Sequence, residues 1–287
     1  MTAVPSFFPD YQRVVDAELS RLLRADDDAV SKAMAYTVLA PSKRVRPVLT
    51  LLSTELCGGD VSAALPAAAV MELVHASSLI LDDLPAMDNA PLRRGRPANH
   101  LKFGEAIALL AAFALLNRAY ATLARAYAPA LGARLNGLLS DAVGTDGLIG
   151  GQAADIFGTR ERVTFEMLER IHRGKTGALF SAAATAGAVI ANASAEALGS
   201  LGAYAKNLGL AFQIVDDLLD VEGDPAETGK AVRADVKKTT FVSFSGVAGA
   251  RELAKELCQT ADRALAPFGR RAERLRALSA FVAGRSC

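Results

Sequence analysis

What most restricts the fold of this chain is an apolar helical repeat that runs along nearly its whole length, with no strand pattern to interrupt it. Apolar side chains recur at three- and four-residue steps over 10–25, 28–40, 44–57, 62–84, 104–127, 132–153, 164–190, 195–221 and 248–266. That spacing gathers them on one side of a helix. Alternating runs of Val, Ile, Thr and Tyr are nearly absent, and Ala and Leu dominate, so propensity agrees with pattern. The breaks, such as CGGD at 57–60, DNAPLRRGRP at 88–97 and EGDPAETGK at 222–230, are short and carry Gly, Pro and Asp. No Pro- or Ser-rich linker divides the 287 residues, and no repeat of roughly 20 to 50 residues signals a solenoid. The expectation is a single all-α domain over 1–287, a bundle of antiparallel helices.

A content of 51% hydrophobic and 22% charged residues supplies a core and excludes a disordered chain. The formal net charge of +1 argues against a nucleic-acid partner held by bulk electropositive attraction. Cys57, Cys258 and Cys287 show no CxxC or Cys/His spacing, so neither a disulfide framework nor a zinc site is encoded, and a cytoplasmic location is expected. The N-terminal MTAVPSFFPDYQR lacks the basic and apolar regions of a secretory signal, so no export is expected. Only Thr176 to Ala195 approaches membrane-spanning length; its small residues suit a buried helix better than stable membrane insertion.

Two acid clusters stand out. Asp82-Asp83-Leu84-Pro85-Ala86-Met87-Asp88 ends an oily helix, and Asp216-Asp217-Leu218-Leu219-Asp220 lies inside another, with Asp216 and Asp220 on one helical face. Carboxylates crowded in an apolar bundle repel one another and cost several kcal/mol in desolvation unless a hard divalent cation takes their oxygens. Magnesium suits that donor set, and it usually completes its shell with water and phosphate oxygens. Cations for a polyphosphate recur beside the breaks: Lys43, Arg44 and Arg46; Arg93 and Arg94; Lys175; Lys230; and Lys237-Lys238.

From about Lys43 to Thr240 the chain resembles the trans-isoprenyl diphosphate synthases, or polyprenyl synthetases. DDLPAMD at 82–88 with LRRG at 92–95 is similar to the first aspartate-rich motif of that family in its longer spacing, and FQIVDDLLD at 212–220 to the second. KRVRP at 43–47, His75 in MELVHASSL, FGEA at 103–106, GQAAD at 151–155, KTG at 175–177 and GK at 229–230 follow in the family's order. The resemblance implies helices around a central cavity and about three Mg²⁺ ions per site. It also implies a reaction in which an allylic diphosphate (dimethylallyl, geranyl or farnesyl) ionises and the double bond of isopentenyl diphosphate attacks the cation. By the same resemblance, the metals fall to Asp82, Asp83, Asp88, Asp216, Asp217 and Asp220. Arg93, Lys175, Gln213, Lys230 and Lys238 would hold the allylic diphosphate, and Lys43, Arg46, His75 and Arg94 isopentenyl diphosphate. Thr176 and Gln213 would place oxygens near the nascent cation, and the chain would be a homodimer.

The chain departs from the family pattern at Pro41-Ser42, where Gly-Gly is usual, at Ala112-Phe113, where Gly-Asp is usual, and at Leu81, where His is common. These departures motivate one alternative, a catalytically silent subunit of a heteromeric synthase. A terpene cyclase would not need Lys43, Arg46 and His75. A di-iron bundle is suggested by Glu72-Leu-Val-His75 and Glu169-Arg-Ile-His172, but it leaves both acid clusters unexplained. Product length is expected to depend on Ser77 and Ser78, about one turn below Asp82. Farnesyl-producing relatives commonly carry an aromatic floor there, and a Ser cannot supply one. Geranylgeranyl diphosphate is therefore the expected product and farnesyl diphosphate the runner-up, with Leu73, Val74, Phe113 and Leu116 as candidates for a deeper floor.

Overall fold

The computed structural model describes residues 4–23, 27–158, 163–222 and 239–284. Among these residues the α-helices are α1 (Phe8–Leu22), α2 (Ala29–Val38), α3 (Val45–Leu56), α4 (Val61–Asp82), α5 (Asn99–Phe103), α6 (Glu105–Ala126) and α7 (Pro129–Val143), followed by α8 (Leu148–Gly158), α9 (Phe165–His172), α10 (Ala178–Ile190), α11 (Ala195–Glu222), α12 (Phe241–Ala264) and α13 (Glu273–Ala283). The fold is all-α, as the periodicity requires. Helix α4 packs on α3 and α6, and α10 packs on α3 and α11.

Local chemistry accounts for the differences from the sequence reading. The expected helix 132–153 is two helices, because Gly144-Thr145-Asp146-Gly147 makes a turn in which Gly147 N–H donates to Gly144 O at 3.0 Å. Within the Pro- and Gly-rich break at 88–97, β1 (Leu92–Arg93) and β2 (Arg96–Pro97) pair antiparallel. Arg94 and Gly95 at their turn both take positive φ, 55° and 71°, as a tight two-residue hairpin demands. Helix α12 starts at Phe241, earlier than the expected 248, under a Thr240/Ser243 capping box, and Gly246 at φ 68° breaks its apolar period.

Helices α4 and α6 are both long and apolar enough to cross a membrane, whereas the sequence reading singled out 176–195. Burial separates the two. Most of α4 lies in the core, while α6 exposes Leu109, Leu110 and Phe113 along one stripe.

Two apolar cores meet along α11. The larger takes in α3, α4, α6, α10 and the first half of α11; the smaller joins Leu168 and Ile171 of α9, Ile214, Val215 and Leu218 of α11, and Phe241 of α12. Between α2 and α3 the chain is pinned by Arg44, the N-cap of α3, at φ 51°. A left-handed conformation costs a non-glycine residue roughly 1–2 kcal/mol. Arg44 offsets that by reaching three helices at once: Nε donates to Asp16 at 2.8 Å, Nη1 to Glu72 at 2.5 Å and Nη2 to Val38 O at 2.7 Å. Both members of the Arg44–Glu72 pair are buried. Glu72→Ala removes the buried carboxylate shared by Arg44 and Arg94, leaving Asp16 as the acid on Arg44, and should cost about 3 kcal/mol in urea unfolding; a loss under about 1 kcal/mol, as for a surface pair, would contradict this role.

Candidate active site

Helix α4 runs out at Asp82, and the four residues after Asp83 fold the first acid cluster back on itself. Met87 N–H donates to Leu84 O and Asp88 N–H to Asp82 O, both at 2.9 Å, so the Leu-Pro-Ala-Met insertion returns Asp88 to the end of the helix. Asp83 is different. Its carboxylate is buried and taken by Arg93 of β1, whose Nε donates to both oxygens at 3.0 and 3.1 Å and whose Nη2 also bonds it. Burial works against the Arg93 charge, but hydrogen bonds and charge from Asp83 outweigh it and push the guanidinium pKa up.

Across from this cluster, Arg173–Gly177 forms one π-helical turn between α9 and α10, at the junction of the two cores. The wider turn is seated by close backbone packing. A Cβ on Gly151 of α8 would lie 2.1 Å from Lys175 N, and one on Gly209 of α11 would lie 3.2 Å from Gly177 Cα. From this turn Lys175 Nζ reaches Asp155 Oδ2 at 2.8 Å and Asp82 Oδ2 at 3.8 Å. The next residue faces the second cluster: Thr176 Oγ1 donates to Gln213 Oε1 at 2.9 Å. On α11, Gln213, Asp216, Asp217 and Asp220 follow the three- and four-residue steps of one face. Lys175 and Thr176 thus link the two acid clusters, an association the sequence reading derived only from motif order.

Asp217, expected among the metal ligands, is engaged by donors of the protein. Its side chain is buried, Oδ1 accepts from Gln213 Nε2 at 3.0 Å and Oδ2 from Phe241 N–H at the start of α12 at 3.1 Å. Asp83 and Asp217 spend their carboxylates on protein donors because a buried carboxylate must be paired. Asp82, Asp216 and Asp220 are partly exposed and Asp88 is exposed. Asp155 had no assigned role; its position in GQAAD, three residues after Gln152 and so on the same helical face, was the available signal.

The expected isopentenyl diphosphate residues gather between α3, α4 and the hairpin. Arg46 is buried with its guanidinium 4.7 Å from the Phe180 ring and 5.9 Å from that of Phe212. Arg94 reaches Thr37 O, Ala40 O and Glu72, each at 3.4 Å. Lys43 is exposed. His75, one turn beyond Glu72, has its pKa driven well below 6.5 by burial and then by Arg46, Arg94, Arg93 and Arg44. Lys230 and Lys238 lie outside the described residues. Ser77 is buried and donates to Ala112 O of α6 at 2.8 Å, and Ser78 donates to His75 O at 2.9 Å. Among the deeper-floor candidates, Leu73 and Val74 are buried, whereas Phe113 is 60% exposed on the outside of the bundle. The di-iron reading fails at Glu72, which is committed to Arg44 and Arg94, while His172 packs on Phe241 with ring centroids 5.1 Å apart.

Two acid clusters with lysine and arginine partners in an all-α bundle make this a candidate enzyme site for a phosphorylated substrate. A model of the polyprenyl synthetase family matches residues 27–264, and the chain belongs to that family. It is 42% identical over 258 residues to the farnesyl diphosphate synthase of Geobacillus stearothermophilus, covering 87% of each chain. In structure it is similar to an FPP/GFPP synthase from Zymomonas mobilis, with TM-score 0.87 at 33% identity over 97% of this chain and 98% of that one. A geranylgeranyl pyrophosphate synthetase from Pyrococcus horikoshii gives 0.88 at 30% identity over 96% and 97%.

The His75 surroundings predict a pH dependence. Below about pH 6.5 the unfolded chain binds a proton that the folded chain excludes, so this contribution to stability is complete above that pH and is lost below it. Unfolding free energy should fall between about pH 7 and 5.5, and less steeply in His75→Gln. Equal slopes in the two proteins would contradict this.

Proposed function

We propose that this chain is a magnesium-dependent trans-prenyltransferase that condenses isopentenyl diphosphate with an allylic diphosphate, with geranylgeranyl diphosphate as its main product. The observation that carries the reading is the placement of Lys175 and Thr176 between the two acid clusters, with a separate arginine and histidine group on α3, α4 and the hairpin.

Magnesium fits the donors. The clusters offer carboxylate oxygens without thiolate or imidazole, and a cation, the Lys175 ammonium, already lies between Asp82 and Asp155. Asp82, Asp88, Asp216 and Asp220 would hold the ions. Among the described residues no three His, Cys, Asp or Glu side chains form a ready metal cluster, and Mg²⁺ in general takes only one or two carboxylates and completes its shell with water and phosphate oxygens. When bound, the ions would neutralise the leaving diphosphate.

The chain's own residues do the rest. Lys175 has three donors and can hold Asp155 and a phosphate oxygen together. The allylic carbon–oxygen bond breaks with its electron pair on the diphosphate, and the hydroxyl of Thr176 and the amide of Gln213 supply oxygen dipoles beside the cation. Arg46, Arg94, Lys43 and a neutral His75 orient isopentenyl diphosphate, whose double bond attacks. The proton then lost from the adduct passes to the departed diphosphate, so no side-chain nucleophile is required.

The exposed Leu109, Leu110 and Phe113 of α6 support a homodimer joined along that stripe, and the small Ser77 supports a tail longer than three isoprene units. A cytoplasmic location without stable membrane insertion accompanies this reading.

Purified protein given Mg²⁺, isopentenyl diphosphate and farnesyl diphosphate should release a C20 diphosphate, and turnover in excess chelator would refute the reading. Asp82→Ala and Asp216→Ala should each lower kcat on the order of 10³-fold. Lys43→Ala and Arg46→Ala should raise KM for isopentenyl diphosphate alone. Ser77→Phe should shorten products to C15; an unchanged C20 distribution would remove Ser77 from the tail's path.

A further inference from the structure

The buried contacts of Asp217 settle the orientation of two neighbouring groups. An ionised carboxylate only accepts hydrogen bonds, so the Gln213 amide must turn its nitrogen towards Asp217, where Nε2 lies 3.0 Å from Oδ1. Its oxygen is then the group facing Thr176, 2.9 Å from Oγ1, and the Thr176 hydroxyl must donate to it. The other Asp217 oxygen is held by Phe241 N–H at the positive end of α12, 3.1 Å away. With its hydrogen spent on Gln213, the Thr176 oxygen has only lone pairs to offer elsewhere.

We propose that Asp217 is a positioning residue rather than a metal ligand: through Gln213 it sets the polarity of the Thr176 hydroxyl, so that lone pairs and not a hydrogen face the developing allylic cation. The inference deepens the prenyltransferase reading above and rests on it for the cation. Three elements share the chain of contacts: the start of α12 orients Asp217, α11 carries Asp217 and Gln213, and the π-helical turn presents Thr176.

Asp217→Asn is the informative change. Its oxygen can still accept from Phe241 N–H, but its amide nitrogen now meets Gln213, which must flip to offer its oxygen. The nitrogen of Gln213 then faces Thr176, and the hydroxyl polarity reverses. The kcat of Asp217→Asn should fall roughly tenfold to a hundredfold, the range of a coupled contact, with both KM values and the Mg²⁺ concentration for half-maximal rate changed less than about threefold. In a Thr176→Val background the same substitution should lower kcat clearly less, because the hydroxyl it acts through is gone and only the Gln213 dipole remains to be turned. An equal loss in both backgrounds, or a rise in the Mg²⁺ requirement matching that of Asp216→Asn, would overturn the proposal.

A crystal structure of the unmodified chain with Mg²⁺ and inorganic diphosphate tests the same point without relying on a variant or on turnover. Asp217 should keep both contacts; a Mg²⁺ ion about 2.1 Å from either of its oxygens would overturn the proposal. Absence of prenyl transfer by the unmodified chain would count against the function, whereas the metal distances alone decide the place of Asp217.

Discussion

Mutual repulsion among carboxylates at one end of an apolar bundle is the constraint around which this structure is arranged. Each buried acid is answered by a specific donor from another part of the chain: Asp83 by Arg93, Glu72 by Arg44, and Asp217 by Gln213 and the first N–H of α12. Lys175 bridges Asp82 and Asp155. These pairings bring the hairpin, the π-helical turn and α12 to the ends of α4 and α11. Asp82, Asp216 and Asp220 are partly exposed and Asp88 is exposed, so under the proposed function these are the acids that solvent, substrate and metal can reach.

The departures from the family pattern are absorbed by local compensation. Where Gly-Gly is usual, Ser42 donates to Glu72 at 3.2 Å and its oxygen accepts from Arg44 N–H at 3.3 Å. The positive φ of this loop is carried by Arg44, which its hydrogen bonds hold in place. At 112–113, Ala112 is buried and accepts the Ser77 hydrogen bond, while Phe113 extends the apolar stripe on the outside of α6. Neither change removes an aspartate of the two clusters.

The helical class and the acid clusters were legible because both are written in local spacing: the apolar period along 62–84 and the four-residue step from Asp216 to Asp220. The protein partners of the aspartates were not. Whether an acid faces a metal or a protein donor depends on what arrives from elsewhere, as when Phe241 N–H meets Asp217. The π-helical turn is not legible for a related reason: RGKTG continues a helical pattern, and the widened turn is seated by its close packing on Gly151 and Gly209 from other helices. The hairpin was hidden in a break whose Pro and Gly content reads as loop until its two positive-φ residues are seen.

If the two clusters share a diphosphate and its metals, magnesium and diphosphate must each strengthen the binding of the other. Calorimetric titration of Mg²⁺ with and without inorganic diphosphate measures this directly. The account predicts weak Mg²⁺ binding alone and much tighter binding of more than one ion when diphosphate is present, with the gain lost in both Asp82→Asn and Asp216→Asn. Binding that is identical with and without diphosphate, or a gain that survives loss of either cluster, would contradict it.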